Sequence, residues 1–91
     1  MERFYDNEKG YLDWEASNST GFVINCYKVS GPYMLHRSNC HTILDNKNFT
    51  TGQYYKVCSN DKEELMNWAK QERKKHGSLE PGVQRCTKCN P

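Results

Sequence analysis

The chain has little apolar material with which to build a core. Only 35% of its 91 residues are hydrophobic, against roughly 45–50% in ordinary globular domains. Leu, Ile, Val and Phe together number only fourteen. A chain of this length buries only about 60–65% of its surface on folding, so such a thin core would be marginal against the entropy lost when the backbone is ordered. We therefore predict a single domain over residues 1–91 that needs a further cross-link, either disulfides or a metal ion.

No secretory leader is recognisable in this sequence, and long hydrophobic runs are missing. The first ten residues, MERFYDNEKG, are charged and contain no apolar segment of the leader type. No stretch approaches the ~18 apolar residues of a membrane span. We therefore expect a cytoplasmic protein without membrane contact, in a reducing compartment where clustered Cys and His more often bind metal than form disulfides. The odd number of cysteines, five, agrees with this expectation.

A strong charge of either sign is absent as well. The net charge of +2 is too small to indicate nucleic-acid binding through charge alone.

Three segments rich in β-branched and aromatic residues predict strands, at residues 21–28, 33–37 and 54–59. The turn Ser30-Gly31-Pro32 predicts that the first two are antiparallel neighbours. Residues 38–53 show no clear pattern and predict a long irregular loop, which in a compact domain usually has a function or is tied down. We expect a small three-stranded antiparallel meander.

Two helices complete a predicted α+β fold. Residues 8–17 predict the first helix. Asn60 is the predicted N-cap of the second, because Glu63 follows three residues later as in a capping box. Gly77 is its predicted C-terminal stop. The apolar stripe of this helix consists of Leu65, Trp68 and Ala69.

The strongest local signal is Cys86-x2-Cys89 near the end of the sequence. Two intervening residues let one tight turn aim both sulfurs at a single point, and thiolate–zinc bonds are ~2.3 Å long. The same spacing occurs in thioredoxin-type redox pairs, which need a following helix to lower the thiol pKa. Only Asn90 and Pro91 follow here. We therefore favour a C-terminal zinc knuckle.

Tetrahedral zinc needs two more ligands. His36 and Cys40 lie at the exit of a predicted strand, where the chain can curl back and present both side chains to one side, as the two-ligand hooks of zinc fingers do. We predict a Zn²⁺ site formed by His36, Cys40, Cys86 and Cys89 that joins the central hairpin to the last residues. Such a site can contribute about 10–16 kcal/mol of apparent folding free energy.

An alternative assignment remains for His36 and Cys58. His36 could be a hydrogen-bonded strand residue, and Cys58 would then be the leading substitute ligand. Otherwise Cys58 and Cys26 are expected to be buried strand thiols that behave as small hydrophobic residues. His41 and His76 are expected to face solvent.

A family resemblance appears at these residues. His36-x3-Cys40, a strand, a helix and then Arg85-Cys86-x2-Cys89-x-Pro91 resembles the metal-binding domain of the Ada methyl-phosphotriester repair family. It also resembles small zinc modules appended to some bacterial nucleases. The match covers roughly residues 33–91, whereas the front of the chain looks like uncharacterised bacterial proteins. The resemblance implies a zinc-stabilised fold that contacts DNA.

One departure from the Ada pattern limits what it implies. In that family the first cysteine of Cys-x3-Cys is the zinc-activated methyl acceptor, and the matching residue here is His36. A zinc-bound imidazole is no comparable nucleophile for a phosphotriester methyl group. The resemblance therefore implies the zinc site and not the repair activity.

Three functions follow as hypotheses. The first is a zinc-stabilised module that binds DNA or RNA, since phosphates need cations and aromatic rings can stack on bases. The second is a protein-interaction accessory module of a larger nuclease or defence system. The third is a zinc enzyme with an open coordination position, which is disfavoured because no His-x-Glu deaminase pattern and no Ser/His/Asp set stands out. The candidate nucleic-acid contacts are Arg37, Lys56, Arg73, Lys74, Lys75, Arg85 and Lys88.

Overall fold

The computed structural model of the chain describes residues 1–27, 33–40, 50–75 and 83–91. Its elements follow in the order β1 (Glu2–Phe4), α1 (Glu8–Ser17), β2 (Phe22–Tyr27), β3 (Met34–Arg37), β4 (Tyr54–Ser59), α2 (Lys62–Lys75) and β5 (Gln84–Arg85). The predicted α+β class is confirmed, as are the bounds of α1 and β4.

The strands form one mixed sheet in the order β1-β4-β2-β3-β5. Every pairing is antiparallel except that of β3 with β5, which is parallel. The prediction of a three-stranded meander is wrong in two respects. Strand β4 pairs with β2 over six positions and not with β3, and two short strands extend the sheet at its edges. With three and two residues, β1 and β5 are too short for an alternating pattern to reveal them.

One face of the sheet packs against α2. Successive side chains of a strand point to opposite faces, so Ile24, Leu35 and Val57 of neighbouring strands share a face. Leu65 and Ala69 of α2 pack against them and are completely buried, as the predicted apolar stripe requires.

The opposite face packs against α1 and the cysteine-rich segments. Val23 and Cys58 are register partners on this face, and the completely buried ring of Tyr11 from α1 lies in the same cluster. Cys40 and Cys86 belong to this cluster too. These two candidate metal ligands are therefore part of the hydrophobic cluster on this face of the sheet.

Hydrogen bonds connect the start of α1 to Thr50, in the segment that precedes β4. Asn7 caps the helix through its side chain, which accepts a hydrogen bond from the Gly10 N–H at 2.9 Å. The buried Thr50 hydroxyl accepts from the Asn7 N–H at 2.7 Å and donates to Glu8 at 2.8 Å. Within the predicted loop 38–53, residues 41–49 lie outside the described residues.

The N-cap of α2 differs from the prediction by one residue. The Asp61 carboxylate accepts hydrogen bonds from the N–H groups of Glu63 and Glu64, at 3.0 and 3.2 Å. Asn60 instead donates from its side chain to Asn18 Oδ1 at 2.8 Å. The predicted stop at Gly77 lies beyond the described part of α2.

Cys26 and Cys58 are completely buried, as expected of strand thiols. None of the five cysteines forms a disulfide. His41 and His76, expected to face solvent, lie outside the described residues. Among the helices that the structure describes, none has the length and apolarity needed to cross a membrane.

Candidate metal centre

Three parts of the chain converge where β3 ends. His36 belongs to β3, Cys40 follows three residues after that strand, and Cys86 follows β5 directly. The parallel register pairs Leu35 with Arg85, and the Cys86 N–H donates to the Leu35 carbonyl at 2.9 Å. The sheet itself therefore places Cys86 beside His36.

The four predicted ligands lie together. One ring nitrogen of His36 and the sulfurs of Cys40, Cys86 and Cys89 all lie within 4.8 Å of one another. The sulfurs of Cys40 and Cys86 are 3.9 Å apart. Two thiolates on one tetrahedral zinc ion, each bonded at ~2.3 Å, would be separated by about 3.8 Å. The spacing therefore suits a single ion, and the four side chains can hold one.

His36 supports this interpretation through an unsatisfied atom. The residue is 6% exposed, and its Nδ1 is buried without a hydrogen-bond partner among the described residues. Leaving such an atom unpaired costs about 1–3 kcal/mol, so the alternative of a hydrogen-bonded strand histidine has no support at this nitrogen. Burial, followed by the positive charge of Lys56, lowers the pKa of His36 to about 4. The ring is therefore neutral at pH 7, which is the form that binds metals.

Two tight turns aim the cysteines at this point. The Cys40 N–H donates to the Arg37 carbonyl at 3.0 Å, which folds the chain back after β3. The Asn90 N–H donates to the Cys86 carbonyl at 3.1 Å. Asn90 has a φ of 50°, a left-handed conformation that asparagine tolerates better than most residues. The Lys88 N–H points to the Cys86 sulfur at 3.4 Å, where it would stabilise a thiolate.

Cys89 is the least buried of the four predicted ligands. Burial raises the pKa of its thiol to about 11, opposed by a hydrogen bond of 3.3 Å from the Arg37 N–H. Without a metal this thiol is protonated at pH 7. Metal binding must therefore displace a proton, which makes affinity fall with decreasing pH.

Cys58 borders the centre without belonging to it. It lies in the core cluster that contains Cys40 and Cys86, but it is not among the residues whose donor atoms converge. Burial raises the pKa of its thiol well above the usual range. The four-residue site therefore does not need Cys58 as a substitute for His36.

Lys56 was predicted as a nucleic-acid contact, and the structure places it in the interior. The residue is 1% exposed, and its ammonium group donates to Asn25 Oδ1 at 2.7 Å. It lies over the rings of Tyr11 and Tyr54, at 5.9 and 5.7 Å from their centroids. The prediction is wrong because both faces of β4 are covered. Burial lowers the pKa of Lys56 to about 8.

The other candidate contacts differ in their surroundings. Arg85 and Lys88 are exposed. Arg37 is exposed too, but its guanidinium donates to the carbonyls of Cys89 and Asn90. The side chains of residues 73–75 lie outside the described part of the structure. The sequence did not predict the structural contacts of Arg37. The only signal for them was that Arg37 directly follows His36, a predicted ligand.

Comparison of the chain with family models, with curated proteins and with solved structures found no match in any of the three. The donor set carries its own chemical information. Thiolate and imidazole ligands favour zinc and related soft or borderline metals, whereas Ca²⁺ and Mg²⁺ prefer oxygen.

Proposed function

We propose that the chain is a structural-zinc module in which His36, Cys40, Cys86 and Cys89 hold one Zn²⁺. The convergence of four donor atoms within 4.8 Å is the observation that supports it best. A set of three cysteines and one histidine is a common ligand set of structural zinc sites. The ion would join β3 to the last residues and add the stability that a small core lacks.

The ligand number favours a structural role over a catalytic one. A catalytic zinc keeps one position for water or substrate, whereas structural sites are closed by four protein ligands. Here four protein donors are available, and three of the four residues are buried. A zinc enzyme would need one of these side chains to leave the ion.

We further propose that the module contacts DNA beside the zinc site. Arg85 and Lys88 are exposed and flank Cys86 in the sequence, so the ion would hold both cations in a fixed arrangement. Arg73, Lys74 and Lys75 at the end of α2 are additional candidates. The resemblance to the Ada domain supports DNA rather than RNA.

The test begins with metal analysis of the purified chain, followed by fluorescence anisotropy with duplex and single-stranded DNA at increasing salt. We expect one zinc per chain and an affinity that falls as salt rises, because phosphate binding releases counterions. Replacing Arg85 and Lys88 together by Gln should weaken binding to all sequences alike and lower the salt slope by about 2.

The matched control replaces two exposed lysines on the helices, Lys9 and Lys70, by Gln, which removes the same charge elsewhere. Equal effects of the two double variants would refute the proposed contact site. If binding to DNA were absent or independent of salt while a protein partner co-purified, the accessory-module hypothesis would replace this one.

A further inference from the structure

Arg37 makes three hydrogen bonds to the last described turn. Its backbone N–H donates to the Cys89 sulfur at 3.3 Å. Its Nε donates to the Cys89 carbonyl and its Nη2 to the Asn90 carbonyl, both at 2.9 Å. One residue, next to the ligand His36, therefore fixes the sulfur and two successive carbonyls of a segment more than 50 positions away.

Cys89 is the ligand that needs such support. Cys86 is held by the pairing of β5 with β3, but Cys89 lies beyond that pairing and is only partly buried. The planar guanidinium presents its donors in a fixed fork. Contacts to two successive carbonyls therefore restrict both the position and the orientation of the turn that carries the Cys89 sulfur.

The charge of Arg37 also suits this place. Zn²⁺ bound to three thiolates and a neutral imidazole carries one net negative charge, and a nearby cation offsets it. The guanidinium is bonded to the carbonyls of Cys89 and Asn90, so its charge is held beside the metal centre.

We infer that Arg37 is a positioning residue of the metal centre, which holds Cys89 in place for coordination and slows the release of the ion. This inference rests on the proposed zinc site. It also assigns to Arg37 a role different from the nucleic-acid contact expected from the sequence.

The test compares zinc release from loaded wild-type protein and from Arg37→Met after mixing with an excess of a coloured chelator. The substitution removes both guanidinium hydrogen bonds, to the carbonyls of Cys89 and Asn90, and keeps the backbone N–H that points to the Cys89 sulfur. We expect release about 10-fold faster, the lower end of what loss of a supporting contact around a metal site typically costs. In the Co²⁺-loaded variant we expect weaker sulfur-to-metal charge-transfer absorption.

The control is Arg3→Met. Arg3 is an exposed arginine on β1, at the opposite edge of the sheet, and its guanidinium lies 5.7 Å from the Trp68 ring centroid. Like Arg37→Met, this variant loses an exposed guanidinium that contacts the protein, but the loss lies away from the predicted metal ligands. Equal release rates in the two variants would overturn the inference.

Arg37→Lys separates geometry from charge and serves as the test variant should Arg37→Met not fold in the presence of zinc. Lysine keeps the charge without the fork, so we expect release to stay several-fold faster than in the wild type. Full recovery of the wild-type rate would overturn the positioning role. A wild-type protein that binds no zinc would refute the proposed function itself, which is a different outcome.

Discussion

The sulfur atoms of Cys40 and Cys86 lie 3.9 Å apart, although 46 positions separate the two residues in the sequence. The separation is far longer than a disulfide bond of about 2.0 Å and close to that of two thiolates on one zinc ion. The turn after β3 brings one sulfur to this place, and the pairing of β5 with β3 brings the other. A shared ion would therefore connect two parts of the chain that meet at the sheet edge.

Loss of a ligand should be far more damaging than loss of a core thiol. Serine is a poor zinc ligand, so we expect Cys89→Ser to release the ion and to unfold the domain or greatly lower its stability. Cys26 is completely buried, belongs to the core cluster that packs against α2, and is not among the converging donors. Cys26→Ala should keep its zinc and cost about 1–3 kcal/mol. Metal analysis and thermal unfolding of both variants provide the measurement, and equal damage would show that the ligand assignment is wrong.

The identity of the fourth ligand can be tested with cobalt. In Co²⁺-loaded protein, Cys58→Ala should leave the visible absorption bands unchanged, because Cys58 is not among the converging donors. His36→Ala should shift and weaken these bands, since the ion would lose one of four protein ligands. A changed spectrum in Cys58→Ala together with an unchanged one in His36→Ala would assign the position to Cys58.

The four converging side chains could be predicted because their spacing is local. Cys-x2-Cys and His-x3-Cys each form within a single turn, so short-range geometry indicates which side chains can share an ion. That these two pairs meet depends on the parallel pairing of β3 with β5. A strand of two residues leaves no pattern in the sequence, so the sheet order that brings the pairs together could not be predicted.

Acid should destabilise the zinc-loaded protein in a definite pH window. In the metal-free fold the pKa of His36 is lowered to about 4 by burial and by the charge of Lys56, against about 6.5 in an unfolded chain, and a bound ion would lower it further. Between these values the unfolded chain binds a proton that the folded chain does not. The contribution of His36 to stability is therefore complete above pH 6.5 and is lost progressively as the pH falls below that value, down to about 4 without the ion and further with it.

Urea unfolding of loaded protein at pH 7.5, 6, 5 and 4 measures this dependence. Proton competition for the thiolates acts in the same direction. A midpoint that stays constant from pH 7.5 to 4 would contradict a neutral, metal-binding His36.

Lys56 should behave as a core residue. Lys56→Ala removes a buried alkyl chain and leaves Asn25 Oδ1 without its ammonium donor, so we expect a loss of roughly 2–4 kcal/mol. The exposed Lys70 of α2 is the control, and Lys70→Ala should change stability by less than about 0.5 kcal/mol. Urea midpoints of the two variants provide the comparison. Similar small effects would show that Lys56 is not buried in solution.

Lys56 also shows where sequence patterns fail. A lysine in Tyr-Tyr-Lys-Val-Cys-Ser suggests an exposed position, but Tyr11 and Asn25, which help to enclose it, come from other elements. The prediction of the N-cap of α2 was wrong for a similar reason. Asn60 and Asp61 are both good capping residues, and the choice is associated with a contact to Asn18, 42 positions away. The helix itself and its buried stripe could be predicted because they depend on local spacing.

The most direct test of the account is to remove the metal from the purified chain with excess chelator and to follow far-UV circular dichroism and metal content together. We predict one zinc per chain before treatment, loss of cooperative folded structure as the ion leaves, and recovery when zinc is restored. A chain that remains fully folded and cooperative without bound metal would contradict a fold that depends on zinc.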